Sequence, residues 1–206
     1  MLEWSLLAFA QSSSVSAATV AAPPERGGAI EDLVGRVRER GESAMPTTVV
    51  AGGQSRSESV AAAARGVETE LTIVHDAARP LVTPELIDAV AGKLAAAEGC
   101  DGVIAASPIT DTVKQAGGGL RVERTLDRSA LWAAQTPQAF RTEALRLALA
   151  SGDLGAATDD AMLVERLGGT VLVHEAPPDN VKVTNELDMR VAELLLADRT
   201  ADRLAR

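Results

Sequence analysis

Short apolar and β-branched runs alternate along this chain with longer stretches whose apolar residues recur at helical spacing. That alternation marks βαβ units, and so a doubly wound α/β architecture around a mostly parallel sheet. It predicts strands at Ala18–Ala21, Thr47–Ala51, Leu71–His75, Val103–Ser107, Thr170–His174 and Asn180–Thr184. Helices are predicted at Ile30–Arg40, through Leu33, Val34 and Val37, and at Pro84–Ala97, through Leu86, Ile87, Val90 and Leu94. A third lies at Asp159–Leu167 on Met162, Leu163 and Leu167, an Ala-rich helix follows Ser59, and Asn185–Ala197 closes the pattern. Pro84 suits the first turn of its helix, and the charged residues 198–206 are expected to fray.

One stretch interrupts the alternation. Residues 110–134 run through the turn Gly117-Gly118-Gly119, flanked by Thr112-Val113-Lys114 and Leu120-Arg121-Val122, which reads as a hairpin leaving the main sheet. It is either a surface loop or an arm that embraces a partner subunit. No internal repeat or low-complexity linker divides the 206 residues, so one domain spanning 1–206 is expected.

Composition narrows the classes of function. With 20 Lys and Arg against 29 Asp and Glu the formal charge is -9, which disfavours bulk attraction to nucleic acid or anionic lipid. Any anion must be held by a local site. Aromatic residues make up 2% with no Tyr, against a binder that stacks single-stranded bases. The single Cys100 excludes an intramolecular disulfide and a cysteine-cluster metal site, fits a reducing compartment, and has no basic neighbour to activate it. No apolar run approaches the roughly 18 residues of a membrane span. The apolar segment Trp4–Ala10 lacks the basic start of a signal peptide, so a cytoplasmic location is expected.

In open α/β sheets ligands sit beyond the carboxyl ends of the strands, and polar residues there carry the candidate chemistry. After Thr47–Ala51 comes Gly52-Gly53-Gln54-Ser55-Arg56-Ser57-Glu58-Ser59. Its glycines allow close backbone approach and its helix start offers N–H groups to an anion, with Arg56 or Ser59 as further donors, but Ser55 and Glu58 also fit a simple capping box. After Leu71–Val74, Asp76 is costly at the end of a buried strand unless it binds a cation or accepts hydrogen bonds, and Arg79 can hold a phosphate. Together they suit a metal-nucleotide; the alternative is an Asp76–Arg79 ion pair bracing the turn. Thr136, before Pro137, is pushed to an extended conformation that can aim its hydroxyl into a cleft. In the last predicted strand Lys182 faces away from Val181 and Val183, either to reach a phosphate or to guard a solvated edge.

Taken in order, GGQSRSESV, VHDAARP, ASPITDTVK, LDRSALWAAQTPQAF, TDDAMLVERLGG and PDNVKVTNELD resemble the 2-C-methyl-D-erythritol 4-phosphate cytidylyltransferase family over nearly the whole chain. The resemblance implies a nucleotidyltransferase (nucleotide-diphospho-sugar transferase-like) fold with a β-hairpin dimerisation arm at about 110–134. It implies a homodimer that transfers CMP from CTP to the sugar-alcohol phosphate with Mg²⁺, releasing pyrophosphate, in the non-mevalonate route to isoprenoids. By motif, Gly53 and Ser59 would contact cytidine, Asp76 the metal, and Arg79 and Thr112 the acceptor, while Thr136 and Thr158 would help hold the methylerythritol phosphate. Arg128 on the arm and Lys182 would align that phosphate for in-line attack, and Asn180 would assist at the metal.

Family members begin with a strand and a Gly-rich basic loop around the triphosphate, whereas Met1–Phe9 resembles the helix after that loop. Loss of that strand would expose the middle of a parallel sheet, and little or no activity is therefore expected of the chain as written. The rival readings are a ribitol 5-phosphate cytidylyltransferase, since few contacts decide the acceptor, and a non-catalytic or truncated relative.

Overall fold

Along the strand Gly102–Pro108 (β4), successive side chains go to opposite hydrophobic clusters: Val103 and Ala105 to one, Ile104 to the other. A strand that buries both faces needs a helical layer on each side, which is the doubly wound arrangement. The computed structural model describes residues 1–151, 154 and 157–204. Within them the elements run α1 (Leu2–Gln11), β1 (Ala18–Ala22), α2 (Gly27–Glu39), β2 (Thr47–Ala51), α3 (Arg56–Ala64), β3 (Leu71–Val74), α4 (Pro84–Ala96) and β4. They continue with β5 (Lys114–Ala116), β6 (Val122–Thr125), β7 (Trp132–Arg141), α5 (Thr142–Ala150), α6 (Asp160–Arg166), β8 (Val171–Glu175) and α7 (Glu186–Leu204).

Among the described residues β1 and β2 form a parallel pair, and a four-stranded sheet has the order β3-β7-β4-β8. β8 is parallel to β4, while β7 runs antiparallel between β3 and β4, so that only β7 is reversed in this sheet. On one face α4 packs Leu86, Ile87, Val90 and Leu94 against Val103, Ala105 and Ala139, with Ala8 of α1 joining them. On the other, Phe140 and Ile104 meet Leu145, Ala148 and Leu149 of α5 and Leu163 and Val164 of α6. Burying a side chain such as Phe140 stabilises by about 1.5–3 kcal/mol, so these two layers dominate the cohesion of the sheet.

Four expectations change. Asn180–Thr184 is not a strand: it is an extended segment tied to the turn after β3 by Val183 N–H donating to the Ala78 carbonyl at 2.8 Å. Its apolar alternation is still used, because Val181 and Val183 pack with Leu81 and with Met189, Ala192, Leu195 and Leu196 of α7. β7 and α5 lie where no element is predicted, since Gln135-Thr136-Pro137-Gln138 reads as turn chemistry until its polar groups find tertiary partners. The hairpin strands are displaced to Lys114–Ala116 and Val122–Thr125, across a turn in which Gly119 takes a positive φ of 68°. The helix α7 extends to Leu204, past the Ala197 expected as its end; residues 205 and 206 lie outside the described ones. No helix among the described residues is long and apolar enough to cross a membrane.

Candidate active site

Several chain segments converge beyond the carboxyl ends of β3 and β8 and at the start of α3. They line a cleft of about 90 Å³ with Arg56, Asp76, Arg79, Gln135, Thr136, Gln138, Thr158, Asp159 and Lys182. Asp76 lies just past β3, where the chain leaves the sheet, and its side chain is 16% exposed. One carboxylate oxygen accepts from Arg56 Nε at 2.9 Å and the other from Lys182 Nζ at 2.9 Å. The sequence alternative of an Asp76–Arg79 pair is thus replaced by two other cations. Burial opposes the charge on Asp76, but the bonds from Lys182 and Arg56 together outweigh it and hold the carboxyl below its ordinary range.

Arg79 is buried and does not stand free as a fork: Nη1 donates to the Asn180 carbonyl at 2.8 Å, while Nε has no partner. Burial lowers its pKa, with partial compensation from Asp76. Thr136 and His75 lock the strand end. With a neutral ring, His75 Nε2–H donates to the Arg79 carbonyl at 3.2 Å and Nδ1 accepts from the Thr136 hydroxyl at 3.1 Å. That hydroxyl in turn accepts from Asp76 N–H at 3.0 Å, so Thr136 fixes the backbone of Asp76. Burial pushes the His75 ring down to about 4, more than its bond to the Arg79 carbonyl restores.

Lys182 reaches the cleft because the segment before it is anchored twice. Asn180 is fully buried and donates to the Thr136 carbonyl at 3.0 Å and to Gln135 Oε1 at 2.8 Å, while Arg199 of α7 donates to Asp179 at 2.5 Å. Asn180 thus braces the wall through its amide nitrogen, while its side-chain oxygen, the atom a metal role would use, has no partner among the described residues. At the start of α6, Asp159 caps the helix by accepting from Met162 N–H, and Thr158 precedes it at the cleft edge.

Gly53 and Ser59 lie on either side of the start of α3 and are bonded to each other, Gly53 N–H donating to the Ser59 hydroxyl at 3.1 Å. A Cβ on Gly53 would come within 2.3 Å of Glu58 Cβ, so the turn needs glycine there. The expected capping box is half formed: Ser55 accepts from Glu58 N–H at 3.2 Å, but the Glu58 carboxylate takes the Gln54 N–H instead of that of Ser55. Gly53, Ser59, Thr112 and Arg128 are not among the residues lining the cleft. Thr112 and Arg128 belong to the excursion that carries β5 and β6; Arg128 is exposed and donates to the Thr110 carbonyl of its own chain.

Sequence reasoning offers Arg56 only as a possible donor and passes over Asp160, Gln138 and Gln135. Asp160 is 0% exposed, and Arg56 Nη1 donates to it at 2.7 Å across 104 residues of chain, so no local pattern signals the contact. Asp160 is pushed up by burial, with partial compensation from Arg56. Gln138 donates to Asp159 at 3.2 Å, and its polar type within a buried strand is the available signal.

For a cation, Asp76 supplies one partly exposed carboxylate beside lysine and arginine side chains that suit phosphates. Among the described residues no group of three or more His, Cys, Asp or Glu forms a ligand set. One carboxylate plus phosphate oxygens is a donor set that Mg²⁺ commonly takes, so the residues fit a metal carried with a nucleotide.

The family model described as 2-C-methyl-D-erythritol 4-phosphate cytidylyltransferase matches residues 1–198. A relative of that name from Parasynechococcus marenigrum is 44% identical over 161 residues, covering 76% of this chain and 70% of its own length. One from Frankia casuarinae is 42% identical over 199 residues, covering 96% of this chain and 70% of its own. A crystal structure of 4-diphosphocytidyl-2C-methyl-D-erythritol synthase superposes with a TM-score of 0.79 at 33% identity, covering 95% of this chain and 89% of that one. The cytidylyltransferase structure from Thermus thermophilus gives 0.74 at 32% identity, covering 95% and 88%. The family model, the curated relatives and the solved structures agree, and the chain has the nucleotidyltransferase-like fold and belongs to the 2-C-methyl-D-erythritol 4-phosphate cytidylyltransferase family.

Proposed function

We propose that this chain forms one cytidylyltransferase domain that transfers CMP from CTP to 2-C-methyl-D-erythritol 4-phosphate, yielding the CDP-linked product and pyrophosphate on the route to isoprenoid precursors. The observation that carries the reading is the Lys182–Asp76 contact of 2.9 Å in a cleft that also holds Arg79, Thr136 and Thr158. A cation site and a phosphate-binding lysine are thereby adjacent, as a transfer between two phosphates requires. An oxygen of the acceptor phosphate attacks the α-phosphorus, forming a new P–O bond as the bond to the β-phosphate oxygen breaks and pyrophosphate leaves. In this reading Lys182 orients the attacking phosphate and Arg79, Thr136 and Thr158 help hold the acceptor, which their shared position in the cleft lining supports. Gly53 and Ser59, at the turn that opens α3, contact the cytidine in this reading, the close approach of Gly53 to Glu58 supporting a tight backbone turn there. Mg²⁺ held at Asp76 supplies charge neutralisation of the triphosphate when bound.

Arg128 acts from the arm in this reading and reaches the cleft of a second copy, which makes the protein a homodimer, while Thr112 faces the acceptor. Leu120 at 87% exposure, with Val122 and Trp132 also exposed, supports an arm that meets another surface. A cytoplasmic location is part of this reading, and the unpaired Cys100 supports a reducing compartment. The test is CTP-dependent pyrophosphate release with either acceptor, by the chain and by a form preceded by the family's strand and basic loop. Release by the extended form with methylerythritol phosphate, and none above background with ribitol 5-phosphate, is expected. Turnover of ribitol 5-phosphate alone would transfer the assignment to that substrate.

A further inference from the structure

Asp160 lies behind the cleft lining, bonded to Arg56, and the proposed roles above leave it unused. It is fully buried, one oxygen receives Arg56 Nη1 at 2.7 Å, and the other has no partner. A buried carboxylate that is half satisfied is expensive, because an unsatisfied buried polar group forfeits its hydration without replacing it. Among the described residues its partner is the same guanidinium that grips Asp76 through Nε at 2.9 Å, so one arginine spans two carboxylates.

That sharing has an electrostatic consequence. An isolated Asp76–Arg56 pair is formally neutral and a poor ligand for a cation. With Asp160 counted, the group of three carries one net negative charge while Arg56 is still held in place. Asp76 has a second cation, Lys182, but that one is 43% exposed on a flexible stem and is free to swing towards a phosphate. Asp76 thus has one fixed partner and one releasable partner, and the buried Asp160 decides which is fixed.

We propose that Asp160 is a positioning residue for divalent-cation binding at Asp76, acting through Arg56. The inference rests on the reading of Asp76 as the metal-binding carboxylate. Asp160 contacts neither cation nor substrate. It immobilises the Arg56 guanidinium so that one oxygen of Asp76 is held and the other is presented to the metal, and it supplies the charge that keeps the site attractive to a cation.

The probe is Mn²⁺, titrated by electron paramagnetic resonance into the whole chain with saturating CTP, alongside melting temperatures of each variant. D160N preserves shape and removes the charge; it is expected to weaken Mn²⁺ binding about tenfold, as loss of an outer partner of a ligand does, without lowering the melting temperature. R56K keeps the charge but cannot span both carboxylates, and the same loss is expected. In the R56K background, D160N should add little. The proposal is overturned if D160N leaves Mn²⁺ affinity intact, with or without a fall in melting temperature, or if its effect persists undiminished in R56K. D76N tests the underlying reading separately: unchanged Mn²⁺ binding in that variant removes Asp76 as the ligand and the proposal with it.

Discussion

The cleft and the arm both carry charged candidate residues, yet the fold treats them in opposite ways. In the cleft Asp76, Arg56, Lys182 and Asp160 bond to one another across as many as 106 residues of chain, and Thr136 and Asn180 are buried beneath them. On the arm β5 and β6 are exposed at every residue, Arg128 donates to a carbonyl of the same excursion, and Leu120 stands almost wholly in water. A site completed by its own chain can be read from its contacts, whereas a site that borrows a second surface leaves its residues looking idle. Under the homodimer proposed above, the exposure of Leu120 and Val122 is what a surface awaiting a second copy would show.

Complementation separates the two regions most sharply. In the form that turns over, Asp76→Asn and Arg128→Ala are each expected to reduce pyrophosphate release by on the order of a hundredfold or more, the scale of removing a preorganised electrostatic contact. If the arm works in a partner's cleft, mixing the two inactive variants restores activity to about a quarter of the wild-type level, because half the dimers regain one intact site. No recovery after mixing, with subunit exchange verified, places Arg128 in its own chain's site.

Next in size is an acid sensitivity lodged in the cleft and not in the arm. His75 stays neutral in the fold down to about pH 4, whereas in the unfolded chain it takes a proton near its ordinary 6.5. Its contribution is thus present above 6.5 and lost as pH falls from there towards 4. Urea unfolding at pH 5 should show up to about 2 kcal/mol less stability than at pH 7, and His75→Asn should remove that part of the dependence. A wild-type and variant difference that does not change between those pH values would contradict the burial argument.

Smaller again is the cap of α3. Ser55→Ala removes the acceptor for Glu58 N–H and should cost about 1 kcal/mol in denaturant unfolding, loosening the turn that carries Gly53 and Ser59. Smallest is the arm: Leu120→Ser with Val122→Ser should shift monomer stability by under about 0.5 kcal/mol while sedimentation shows dimers lost. A large fall in stability of the monomer would mean that the arm belongs to its core.

The layers were legible because periodicity is a local property. Val103 and Ile104 declare a strand buried on both faces, and Leu86, Ile87, Val90 and Leu94 a helix with one buried face. Asp76, Arg79, Thr136, Thr158 and Lys182 were legible as a set, because position after a strand and matching motifs identify them one at a time. The strand predicted at Asn180–Thr184 failed for the opposite reason. Alternation there serves packing on Leu81 and α7, and among the described residues no strand pairs with this segment.

What the sequence determined alone, then, is everything set within a few residues: the order of most elements, the apolar faces, the cap at Ser55 and the type of chemistry at each strand end. Only the tertiary structure decided who partners whom. Asp76 could have paired with Arg79 three residues on, but packing directs that guanidinium to the Asn180 carbonyl and leaves Asp76 to Arg56 and Lys182. The free energy of a buried charge depends on every group that packing brings within a few ångströms, and that distance bears no relation to separation along the chain.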